Sequence, residues 1–60
     1  MKARMVMTMT IGDITFEQEL KKNVIKVFKD NKIVDQYMKS ARDLEEFELA
    51  CQDIYDYMTM

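Results

Sequence analysis

Three sets of residues in this 60-residue chain could carry chemistry: one thiol, a run of carboxylates and a run of amines. The thiol is Cys51, the single cysteine of a chain without histidine. A catalytic thiol wants a neighbouring base, most often histidine, so the pairing that would activate Cys51 is missing. Zinc sites of the Cys/His kind are excluded on the same ground, and an internal disulfide needs a second cysteine. Cys51 also falls on an apolar helical stripe, where a thiol behaves as a small hydrophobe. Ser40 is the only serine, and its place ahead of a helix reads as an N-cap. Gly12 is the only glycine, so there is no glycine-rich phosphate loop. A chain this short also has little room for a pocket of several hundred cubic ångströms. The expectation is a protein that is not an enzyme and needs no cofactor or metal.

The carboxylates are Asp43, Glu45, Glu46, Glu48, Asp53 and Asp56. Their spacing lacks the alternate oxygen ligands of a calcium loop, and on a helix they spread over several faces. A solvated outer face is the plain expectation. The same residues could dock a basic partner or imitate the phosphate charge of a nucleic acid. On that reading the contact residues are Glu45, Glu46, Asp53 and Asp56, with Tyr57 at the rim because tyrosine suits half-wet positions.

The amines are Lys21, Lys22, Lys26, Lys29 and Lys32, with Phe28 and Tyr37 nearby. Basic strands with exposed aromatics bind single-stranded nucleic acid, which makes this segment the alternative site. A pI near 4.9 weighs against it. The net charge of −2 is unevenly spread: residues 1–39 carry eight Lys or Arg against five acids, and residues 40–60 carry Arg42 against six. The chain has a mildly basic body and an acidic helix.

The elements that must position these groups are legible from periodicity. Leu44, Phe47, Cys51, Ile54 and Met58 recur three or four apart, which predicts an amphipathic helix over 41–58 capped by Ser40. Asp43, Glu45 and Glu46 would suit its positive end. Upstream, Met5, Met7, Met9 and Ile11 alternate with Val6, Thr8 and Thr10, the period of a strand. Gly12-Asp13 suits a two-residue II′ turn, and the return strand then sets Ile11 against Ile14, Met9 against Phe16, Thr10 against Thr15 and Met5 against Leu20. Met7 opposite Gln18 is the one mixed pair. A one-residue slip would scramble the agreement.

Residues 24–38 give a second hairpin about Asp30-Asn31, both tolerant of positive φ. Strict pairing would set Phe28 against Ile33, Lys26 against Asp35 and Val24 against Tyr37 on one face. Val27 with Val34 and Ile25 with Gln36 would lie on the other. Both faces are partly apolar, so one could meet the helix and the other a second subunit. The predicted fold is α+β: a four-stranded antiparallel meander of hairpins 4–20 and 23–38, then a helix over 41–58, in one small domain. A rival pattern exists. Phe16, Leu20, Val24, Val27 and Phe28 also fit a helical stripe with Thr15 and Gln18 as a capping box, giving an N-terminal hairpin or strand followed by two or three helices. The β-β-β-β-α order resembles, in the order of its elements alone, the dimeric whirly-type single-strand binders.

A 60-residue domain buries only about 60% of its unfolded surface, and small scaffolds usually add disulfides, a metal or a second subunit. With the first two excluded, a homodimer is expected. The seven methionines read as flexible core filler, or as an adaptable binding surface. The N-terminus lacks a signal peptide's continuous apolar core, and nothing approaches the ~20 apolar residues of a membrane span. A lone, reduced cysteine fits the cytoplasm. The sequence reads as a small intracellular protein-interaction or regulatory domain. In style it is like the inhibitors that phages and mobile elements encode.

Overall fold

The computed structural model describes residues 6–19 and 22–60. Strands β1 (Val6–Ile11), β2 (Ile14–Glu19), β3 (Ile25–Lys29) and β4 (Lys32–Tyr37) precede helix α1 (Leu44–Met58). The sheet is antiparallel throughout, with strand order β1-β2-β3-β4, so the α+β meander is the fold and the helix-rich alternative is not. Thr15 and Gln18 form no capping box: Thr15 Oγ1 lies 3.2 Å from Thr10 Oγ1 across the hairpin, and Gln18 bonds elsewhere.

The first hairpin keeps the register read from the sequence, from Ile11 opposite Ile14 to Val6 opposite Glu19. The Met5–Leu20 pair lies outside the described residues. Gly12 takes φ 62, the left-handed conformation that the first position of a II′ turn demands. A Cβ added there would stand 3.3 Å from the hydroxyl oxygen of Tyr55 on the helix. Gly12→Ala therefore meets both backbone strain and a close contact. It should cost about 1–2 kcal/mol, read as a lower midpoint in a thermal melt. Adding Tyr55→Phe should recover the part that the hydroxyl contact causes.

The second hairpin turns at Asp30 (φ 55) and Asn31 (φ 63), both left-handed as in a I′ turn. Phe28 pairs with Ile33 as expected, and Lys29 with Lys32 beside the turn, but the register then shifts. Val27 faces Asp35, Lys26 faces Gln36 and Ile25 faces Tyr37, leaving Val34 as the extra residue of a bulge. The expected Lys26–Asp35, Val24–Tyr37, Val27–Val34 and Ile25–Gln36 pairs are therefore wrong. The bulge moves Tyr37 to the side of Ile25 and Val27, where an apolar ring is useful, and sends Gln36 to the other side.

Alternation divides the sheet cleanly. Ile14, Phe16, Ile25 and Val27 are buried on the helix side, where they meet Phe47, Cys51 and Ile54 of α1. Met7, Met9, Ile11, Tyr37 and Tyr55 pack around this core, so Met7 and Met9 serve as filler at its edge, whereas Met38, Met58 and Met60 are exposed. Leu44 and Met58, expected on the buried stripe, are 54% and 36% exposed. The buried part of the stripe is confined to Phe47, Cys51 and Ile54 in the middle of the helix.

The helix starts at Leu44 and its N-cap is Asp43, not Ser40. Asp43 is extended (φ −147, ψ 176), and its carboxylate accepts the Glu46 N–H at 2.9 Å. Ser40 is displaced because the next residue is otherwise engaged. The Gln18 side chain accepts the Ala41 N–H at 3.2 Å and donates to the Ala41 carbonyl at 3.4 Å. The Ala41 carbonyl, which would accept the Glu45 N–H in a helix opened at Ser40, is thus held by a side chain of β2 instead. A third bond, from Gln18 Nε2 to the Lys22 carbonyl at 3.2 Å, completes the set. Gln18, the mixed pair in the sequence register, is the fully buried polar side chain that moors the β4–α1 connection.

Candidate functional site

Helix α1 buries Phe47, Cys51 and Ile54, so at 100° per residue its opposite face is fixed. Glu45, Leu49, Asp53 and Tyr57, four residues apart, form one row along that face, with Glu46 and Asp56 on either side. All six are exposed. Leu49 and Tyr57 are 65% and 68% exposed, large apolar surfaces set among carboxylates. Four of the acids picked out from sequence, with Tyr57, thus share one surface. Leu49 was missed. The signal was its i+4 spacing from Glu45 and i−4 spacing from Asp53, which put it off the buried stripe.

The carboxylates differ in what they already hold. Glu46 accepts the Arg42 N–H at 3.2 Å and pairs with the Arg42 guanidinium at 3.8 Å, so it helps to close the helix N-terminus. Asp56 accepts from the Gln52 amide at 3.0 Å. Glu45 and Asp53 carry no such local bond and point their charge outward. They are the acids best placed to meet a partner.

The lysines of the alternative site are not gathered. Lys21 lies outside the described residues. Lys22 pairs with Glu19 at 3.5 Å and Lys29 with Asp13 at 3.7 Å. Lys26, opposite Glu17, lies on the outer sheet face with Phe28. Lys29 and Lys32 face each other on the helix side, because side chains alternate along a strand. Lys22, Lys26 and Lys29 thus each stand beside a carboxylate, and Lys29 and Lys32 lie on the opposite sheet face from Lys26.

The outer sheet face carries a shallow, open cleft of about 440 Å³, lined by Asp13, Thr15, Glu17, Phe28, Asp30 and Asn31. This concavity is larger than the chain length led us to expect. It lies on the surface between two turns and takes no volume from the core. Among the described residues no group of three or more carboxylate or thiol side chains is placed to hold a metal ion.

Cys51 is fully buried, and burial, with a smaller push from the Glu48 charge, raises its thiol pKa to about 12. It stays protonated at neutral pH. A thiol reagent at pH 8 should leave Cys51 of the native protein unmodified and label it promptly in denaturant. The folded pKa is raised, so this thiol's stabilising contribution is complete below the unfolded pKa near 9.0 and is lost as pH climbs toward 12. Tyr37 is shifted upward too, first by burial and then by the Asp35 carboxylate beside it, with Tyr57 adding a little.

Among the described residues no helix is long and apolar enough to cross a membrane. No family model, curated protein or solved structure matches the chain.

Proposed function

We propose that this protein is a non-catalytic interaction domain, a cytoplasmic homodimer that regulates or inhibits another protein by docking on it through the outward face of α1. One observation supports this reading most: Leu49 and Tyr57 are exposed within a row of carboxylates. Apolar anchors ringed by charge are a common arrangement at interfaces. The anchor supplies affinity, and the charges select and steer a complementary, here basic, partner. Tyrosine is enriched at such positions, and isolated solvated acids would not need either side chain.

The test is affinity capture with wild type, Glu45→Lys/Asp53→Lys and Leu49→Ser. Glu46 is left intact because it closes the helix N-terminus. Partners recovered by wild type should be lost with both variants while far-UV circular dichroism is unchanged. Equal recovery by all three proteins would remove this face from consideration. A single-stranded oligonucleotide added to the same samples separates the nucleic-acid alternative. Salt-sensitive binding abolished by Lys26→Glu and Lys29→Glu would move the site to the sheet.

A further inference from the structure

We propose that β1 pairs antiparallel with β1 of a second copy, joining two four-stranded sheets into one continuous sheet. The proposal rests on the homodimer of the preceding reading and names its interface. It comes from a contrast between the two edges of the sheet.

Strand β4 is a defended edge. It opens on Lys32, carries the bulge at Val34, and has the Asp35 carboxylate taking the Gln36 N–H at 2.8 Å. A bulge, a charge and an occupied N–H are the usual devices by which an edge strand refuses a neighbour. Strand β1 has none of them. Val6–Ile11 is regular, free of charged residues and without proline, and pairs only with β2 among the described residues. The two-residue turn makes Ile11 and Ile14 a mutually hydrogen-bonded pair. Met7, Met9 and Ile11 thus direct their backbone groups at β2, whereas Val6, Thr8 and Thr10 turn theirs away from it. These outward groups meet no other backbone among the described residues.

A second copy is the occupant that fits. The run Met7-Thr8-Met9-Thr10 alternates, so when turned end for end about Thr8 or Met9 it faces itself without conflict. Methionine or isoleucine meets methionine on the helix side, and threonine meets threonine or valine on the other. Nothing charged is set against its own copy. Met7, Met9 and Ile11 are only half-buried in the monomer, and pairing would cover them further. Twofold closure uses the two open edges and leaves the two defended β4 edges outermost, which stops the sheet from growing.

Size-exclusion chromatography with light scattering tests this. Wild type should run at twice the 7.2 kDa chain mass. Thr8→Pro removes an outward N–H, a change an edge strand tolerates, and should give a folded monomer with a dissociation constant higher by on the order of a hundredfold. Should Thr8→Pro fail to fold, Thr8→Lys places two ammonium groups near the twofold axis and should act likewise. Gln36→Lys on β4 and Ile33→Lys on the outer face should remain dimeric. A wild-type monomer would overturn both the homodimer and this interface. A dimer that survives the Thr8 variants, or dissociates only with Gln36→Lys or Ile33→Lys, would overturn the β1 interface alone.

Discussion

Phe16→Ala should bring the protein to the edge of unfolding at 25 °C. Phe16 is fully buried at the centre of the helix side of the sheet, between Met9 on β1 and Val27 on β3. Truncating a buried phenylalanine costs about 3–5 kcal/mol through lost transfer energy and the cavity left behind. Domains at the small end of the range hold only about 5 kcal/mol in all. Urea unfolding followed by circular dichroism would show the loss as a pre-transition that never flattens. Phe16→Leu keeps most of the volume and should retain a cooperative transition. A loss below about 1 kcal/mol for the alanine variant would mean that the core is not organised around this ring.

Gln18→Ala should be the next most damaging change, although it removes a polar side chain. Its amide satisfies the Ala41 N–H, the Ala41 carbonyl and the Lys22 carbonyl. Ala41 is itself 5% exposed, so water cannot freely take over. Stranding those groups should cost about 2–4 kcal/mol. Hydrogen exchange gives a more specific readout than a melt. The Ala41 amide should exchange quickly in the variant while amides of Phe47 and Cys51 on the helix stay protected relative to it. Gln18→Glu makes a second test. Its carboxylate can accept the Ala41 N–H but opposes two carbonyl oxygens, and burial disfavours its charge. The folded-state pKa of that acid is then raised, so the variant should gain stability as pH falls toward the ordinary carboxylate range.

Both predictions concern residues whose importance was unequally visible beforehand. Phe16 stood on the apolar side of an alternating strand, and its partner Met9 followed from the Gly12-Asp13 turn by counting. Gln18 looked like a flaw in that same count. Its role depends on Ala41, twenty-three residues away, which periodicity cannot bring to it. The candidate site divides the same way. Its acids were evident as a charged helix segment, but which of them are free to meet a partner follows from the bonds that Glu46 and Asp56 already make.

The sequence alone determined the elements, their order, both turns and the first hairpin's register. These depend on contacts near in the chain: alternation against 3.6-residue periodicity, and the few residue types that accept positive φ. Tertiary structure decided the rest. It set the bulge at Val34, because one extra residue costs little locally and is fixed only by which face Tyr37 must present. It moved the helix start from Ser40 to Asp43, because a side chain on β2 claims Ala41. It also left β1 open and β4 defended. The predicted meander already made both strands edges, and the bulge in β4 is what sets them apart.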